Sequence, residues 1–364
     1  MRRAIPILAL LSLAVLVCFW HAGDALGCAV APPLNKAVAI ADESAIIVWD
    51  KALSTEHFIR RATFQSAAHD FGFLVPTPSK PELSEASDAA FSELARVTAP
   101  KIVKQAQPAA PGCGFGCSKA PERVASMAPE NVRVLEEKRV AGYDAVILEA
   151  EDATSLAAWL KDHGYEFSDA LREWAEHYIK EKWKITAFKV SKEAKEAKEG
   201  ATVSTSAVRM TFKTDQPYFP YREPLAQAKA SDTPPSRRLL RVYFLGTERV
   251  EGMLEGAVWP GRAAWSGEIE LADRDKVAEK LKLPAATMPA KWWLTEFEDL
   301  SSPRPGTSDV IFKHSENQSK IERIHIEYIS SNLPGCIMCM AACAFIVGMR
   351  FIRRRSQTAI TYRG

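Results

Sequence analysis

The chain has 364 residues, 47 basic against 45 acidic side chains for a formal charge of +2, and 47% hydrophobic residues. That balance excludes an intrinsically disordered or strongly cationic protein, and no basic stripe with interleaved aromatics supports a nucleic-acid partner. Arg2, Arg3 and the five arginines Arg350, Arg353, Arg354, Arg355 and Arg363 sit at the two ends, so residues 28–327 are mildly acidic and the excess of positive charge belongs to the termini.

Arg2 and Arg3 precede an uncharged apolar run from Ala4 to Trp20 and then small residues ending at Cys28. This is the order of a secretory signal peptide over residues 1–27, with Ala25 and Gly27 as the small residues before the cut. Two alternatives stay open: an uncleaved N-terminal anchor, and acylation of Cys28 as the first residue of a lipoprotein, against which Ala25 stands where a leucine is usual.

The exported part opens with 28–98, the first portion of an α+β domain. "AIIVWD" (45–50), "EHFIRRATFQ" (56–65) and "FGFLVPTP" (71–78) are β-branched and aromatic runs that predict three antiparallel strands. In the second, Phe58, Arg60, Ala62 and Phe64 share one face and His57, Ile59, Arg61 and Thr63 the other, so an arginine points inward or into a groove. Its expected partner is a nearby carboxylate such as Asp50 or Asp70. A short helix follows around 87–97, opened by Ser87 or Asp88, with Ala90, Phe91 and Leu94 at helical spacing.

Residues 99–130 read as a Pro/Ala-rich linker or surface excursion. Within it "PGCGFGCS" places Cys113 and Cys117 in a glycine-rich turn. In an oxidising compartment these two form a candidate disulfide, with Cys28 as a competitor. The C-x3-C spacing differs from the C-x2-C of thioredoxin-like sites, and no other Cys or His lies close by in sequence to complete a zinc set.

The second portion, 131–327, begins with a hairpin turning near Gly142. A helix capped by Asp152 and ended by Gly164 comes next, and a second helix begins near Ser168 with Leu171, Trp174, Ala175, Tyr178 and Ile179 on one face. Strands are predicted at "ITAFKVS", "AVRMTFK" (207–213), "LLRVYFL" (239–245), "KWWLTEFE" (291–298) and "DVIFKH" (309–314), while "KEAKEAKEG" is a solvated helix extension or hairpin tip. Strands outnumber helices, which gives an α+β fold with mainly antiparallel sheet and a few helices.

The stretches "IADESAIIVWD", "TEHFIRRATF", "DFGFLVPTP", "AWLKDHGYEFSDALREWAEHYIKEKWKITAFKV" and "RMTFKTDQPYFPYR" resemble the bacterial family called domain of unknown function 2330, from about Cys28 to Arg249. The resemblance implies an exported, often membrane-anchored protein of unassigned activity. It supplies no catalytic residue.

The C-terminal stretch has 22 uncharged residues between Glu327 and Arg350, followed only by basic charges. It predicts a single transmembrane segment over 328–352 and a basic cytoplasmic tail over 353–364, in a bacterial inner membrane with the large domain outside the cytoplasm. Cys336, Cys339 and Cys343 are then packing residues or acylation sites, not metal ligands.

No G-x-S-x-G, H-E-x-x-H or Ser-x-x-Lys arrangement occurs in a fitting context, and no cofactor or metal motif is found. Glu173, Glu176 and His177 are the nearest approach to an acid/base or metal set, with a surface ion pair as the plainer explanation. The expected function is a membrane-anchored extracytoplasmic binding or structural module for a protein or envelope ligand. Trp259, Trp265, Trp292 and Trp293 are candidates for its surface or for its core. The alternative is an unrecognised hydrolase-like envelope enzyme with a site near His57, Arg60 or Arg61, and His69. A concave pocket joining them to a carboxylate of shifted pKa would mark the enzyme.

Overall fold

The computed structural model describes residues 29–31, 38–66, 70–106, 133–191, 202–224, 239–283, 289, 291–301, 304 and 308–329. The chain forms two compact units. The larger holds the described residues up to Ala99 and from Arg133 to Arg323.

Its main sheet runs β16 (Arg262–Glu268), β17 (Trp293–Asp299), β13 (Leu240–Gly246), β2 (Val38–Asp50), β3 (Thr55–Ser66), β11 (Val208–Lys213), β5 (Glu82–Glu85), and β10 (Thr202–Ser204) also pairs with β3. All neighbours are antiparallel except β13 and β2, which run parallel. A second sheet has the order β1 (Ala29–Ala31), β4 (Asp70–Thr77), β9 (Lys184–Ser191), β8 (Tyr143–Glu149), β7 (Arg133–Val140), and a third β12 (Tyr218–Phe219), β18 (Val310–His314), β14 (Val250–Leu254), β15 (Ala257–Val258).

The period-2 alternation of the strands decides the layering. One face of the main sheet, with Ile47, Phe58, Phe64, Met210, Val242 and Phe297, packs on Phe73, Tyr143 and Phe188 of the second sheet and on Phe312 of the third. Its other face, with Ile46, Val48, Ile59, Leu245 and Leu294, is covered by α1 (Ala89–Val97) and α4 (Leu271–Leu281). The outer face of the second sheet, through Leu74, Leu148 and Ile185, is covered by α2 (Ala153–Asp162) and α3 (Asp169–Lys180). The larger unit is therefore a four-layer α/β/β/α sandwich, and its α+β, mainly antiparallel class is the one the sequence predicts.

Local signals are read correctly where they are strong. Asp152 accepts the Ser155 amide at 2.7 Å and Ser168 the Leu171 amide at 3.2 Å, so both helices start where their caps stand. Gly164 ends α2 at φ 83°, and Ala141 and Gly142, both at positive φ, make the two-residue turn between β7 and β8.

Two findings add to the sequence expectations and one corrects them. β4 does not extend the β2–β3 hairpin: it leaves for the second sheet and pairs with β9 and β1, because Phe71, Phe73 and Val75 face β3 across the core. Arg60 pairs with Glu43 and not with Asp50, whose Oδ1 accepts the Leu53 amide in the hairpin turn. Helix α4 and strands β14 and β16 went unread, since α4 buries only Val277, Ala278 and Leu281 within an otherwise polar sequence.

The smaller unit contains β6 (Lys101–Ala106) and β19 (Ile324–Ile329), paired in parallel from Ile324 opposite Lys101 to Ile329 opposite Ala106. The start of the Pro/Ala-rich segment is thus a strand. The predicted signal peptide, the "KEAKEAKEG" stretch, His69, Cys28, Cys113, Cys117 and the segment from 330 onward all lie outside the described residues. Among the described residues no helix is long and apolar enough to cross a membrane.

Candidate functional site

Strand register lines up one polar row across the main sheet, on the face that carries α1 and α4. Arg61 of β3 stands opposite Ser44 of β2, Ser44 opposite Arg241 of β13, Arg241 opposite Glu298 of β17, and Glu298 opposite Arg262 of β16. Two residues on along both strands, Asp42 stands opposite Thr63. The apolar residues on this face, Ile46 and Ile59 among them, lie beside this row, and the helices cover them. The polar end stays open as a cleft of about 530 Å³, bounded by Asp42, Ser44, Arg61, Thr63, Asp88, Thr205, Ser206 and Arg241.

The two arginines of the cleft differ. Arg241 is committed: Nε lies 2.8 Å from the buried Glu296 carboxylate, and the guanidinium donates to Glu298 at 3.1 Å. Arg323 adds a second cation on the same two carboxylates, at 3.0 and 2.6 Å. Those cations hold Glu298 below the usual carboxylate range against the opposing effect of its burial. Arg61 has no ion pair among the described residues. Its guanidinium lies over the Phe91 ring, 4.4 Å from the centroid, which fixes the plane of the fork and leaves its outer donors to the cleft. Asp88, at the N-terminal cap of α1, makes no side-chain capping bond and borders the same cleft.

On the opposite face, Arg60 is buried within a cluster of five charged side chains. Its Nε donates to Glu43 at 2.8 Å. Arg304 lies 3.2 Å from Glu43, 3.6 Å from Glu223 and 3.7 Å from Asp299, and Tyr221 donates to Asp299 at 2.7 Å. All five charged residues are at most 3% exposed. Burial works against the Arg304 charge, yet Glu223, Glu43 and Asp299 together keep it above the ordinary arginine value. The cluster lies in the interior and ties β2, β3 and β17 together.

Among the described residues, which do not include His69, the enzyme constellation is not assembled. His57 and Arg60 point to opposite faces of β3, as their alternation predicts. Nδ1 of His57 is 3.0 Å from Thr211 Oγ1, and burial, reinforced by Arg209, lowers its pKa to about 4. The neighbouring Glu56, fully buried on the Arg60 face, accepts the Tyr218 amide at 2.9 Å, and burial raises its pKa well above the carboxylate range. A shifted carboxylate and a shifted histidine therefore exist, back to back through one strand. On α3, Glu176 pairs with Lys180 and the His177 ring contacts Tyr178, while Glu173 is exposed. Among the described residues no group of three His, Cys, Asp or Glu is placed to hold a metal ion.

Of the four candidate tryptophans, two lie in the core and a third packs against it. Trp259 and Trp292 are buried, and Trp265 and Trp293 half-buried; the Trp259 indole packs so closely on Gly252 and Gly261 that neither position has room for a Cβ. Among the described residues weighed from sequence, Arg61 opens into a cleft. Ser44, its cross-strand neighbour, was missed because no pairing register can be read from sequence alone.

No curated protein matches the chain. A family model described as an uncharacterized protein conserved in bacteria matches residues 22–313, beyond the stretch whose motifs carry the resemblance, and the chain belongs to that family, domain of unknown function 2330.

Proposed function

We propose that the protein is a binding module, exported and held at the bacterial inner membrane by a single C-terminal span, whose ligand is a small anion with hydroxyl groups. The observation that carries this reading is Arg61: a guanidinium on an aromatic face, without an ion-pair partner among the described residues, in an open cleft. Such a fork suits a carboxylate or phosphate. Ser44, Thr63, Thr205 and Ser206 offer hydroxyl or backbone partners around it, and the N-terminal end of α1 adds a favourable dipole. The apolar run after Arg2 and Arg3 and the uncharged stretch before Arg350 support export and anchoring.

Thermal-shift and calorimetric titration with inorganic phosphate, acetate and a monosaccharide uronate is the test. At least one probe should stabilise the wild-type protein, and Arg61→Gln should lose roughly tenfold or more in affinity, the worth of a charge-assisted pair of about 1.5 kcal/mol. Equal binding by wild type and Arg61→Gln, or none by either, removes the cleft as the site.

A further inference from the structure

We infer that the ligand of the Arg61 cleft is a zwitterion: a carboxylate with an ammonium group a few bonds away, as in a hydroxylated α-amino acid or an amino-sugar acid. This rests on the reading of Arg61 as an anion site and adds the site for the opposite charge. Two carboxylates border the same cleft, those of Asp42 and Asp88, and among the described residues neither has an ion pair or a side-chain hydrogen bond.

The fold fixes where these carboxylates stand. Asp42, opposite Thr63, is the diagonal neighbour of Arg61, opposite Ser44, on one face of the sheet. Such neighbours are about 7–8 Å apart. Asp88 stands one helical turn before Phe91, whose amide donates to the Asp88 carbonyl at 3.2 Å. Residues three apart on a helix have Cβ atoms about 5–6 Å apart. The Phe91 ring is the one that carries the Arg61 guanidinium, 4.4 Å from its centroid. The guanidinium is therefore flanked by one carboxylate along β2 and another on α1, and it is turned onto the ring between them. One small molecule can touch all three groups, and the cleft of about 530 Å³ has room for an amino acid or a single amino sugar.

The balance of charge decides against a plain anion. Arg241 is matched by Glu296 and Glu298, and Glu43 by Arg60 and Arg304. Arg61 is left against Asp42 and Asp88. An anion seated on Arg61 is repelled by both carboxylates, each worth about a threefold loss of affinity for unit charges some 7 Å apart in water. An ammonium on the same molecule offsets that repulsion and accepts charge-assisted pairing from the two carboxylates.

Calorimetric titration of the full-length protein in detergent tests this with two matched pairs: serine against glycerate, and muramic acid against N-acetylmuramic acid. The second member of each pair keeps the carboxylate and lacks the ammonium. At least one zwitterion should bind about tenfold tighter than its partner, the joint effect of two carboxylates. Asp42→Asn and Asp88→Asn should each weaken that zwitterion about threefold and strengthen the plain anion by about the same factor. Opposite signs separate a charge contact from a local folding fault, which would weaken both. The pair that responds tells a free amino acid from an amino sugar. Equal affinity within both pairs, weakened in Arg61→Gln, overturns the zwitterion and leaves the anion site standing; no binding by any of the four overturns both.

Discussion

His57 is 5% exposed, holds Thr211 through Nδ1, and has Arg209, Asp50 and Lys213 as its charged neighbours. Its pKa is about 4 in the folded protein against an ordinary 6.5, so between those values the unfolded chain binds a proton that the folded chain does not. The contribution is fully present above pH 6.5 and is lost as pH falls toward 4, approaching about 3 kcal/mol at roughly 1.4 kcal/mol per pH unit. Glu56 acts with the opposite sign, since its raised pKa costs stability as pH rises above 4.5. Comparing wild type with His57→Gln by urea unfolding from pH 7 to 4 cancels Glu56 and isolates His57. The variant should lose distinctly less stability over this range, and parallel curves would refute the assignment. Arg60 is a second residue-scale case. Arg60→Met leaves the buried Glu43 to share Arg304 with Glu223 and Asp299, three carboxylates on one guanidinium, and should cost about 3–5 kcal/mol. Adding Glu43→Gln should recover part of that loss, because the two residues share one ion pair. Strict additivity in denaturant titrations would show that the pair is not coupled.

Elements with a strong local pattern were legible. β2 and β3 are β-branched and aromatic runs, the three cap or stop residues of α2 and α3 stand where the helices begin and end, and the turn at Gly142 needs the positive φ that glycine gives. Partnership between elements was not legible. "FGFLVPTP" has the composition of a third strand beside β3, but its inward face carries Phe71 and Phe73, whose rings lie 4.7 and 5.7 Å from Phe64 across the inter-sheet core. Those rings stack between layers and not along a sheet. α4 escaped notice for a related reason: its contact with α1 includes an ion pair between Asp273 and Arg96, which no hydrophobic period records.

At the scale of the molecule, the proposed export and anchoring rest on the apolar stretches after Arg3 and before Arg350, and the sandwich rests on the strands between them. Protease added to intact spheroplasts should digest the region 28–327 and spare a short tail that includes Arg353–Arg355. Full protection of the large region would remove the proposed topology. The same experiment on a variant with arginine at Ala344 and Ile346 should find the protein released from membranes, since each charge near a span centre costs about 2.5–3.5 kcal/mol.

The sequence by itself determined the α+β class, most of the longer elements, both helix caps, the face of β3 on which each arginine lies, and membership of the family. These depend on periodicities of 2 and 3.6 and on residues acting on their own backbone, so short stretches carry them. Only the tertiary structure decided that Arg60 meets Glu43 and Arg304 in the interior, while Arg61 joins Ser44 and Arg241 at an open cleft. That outcome depends on the register of five strands drawn from residues 42–298, and on which face the helices leave uncovered. Cross-strand neighbours far apart in sequence share no local signal, and a one-residue slip in any pairing would have exchanged the buried arginine for the exposed one.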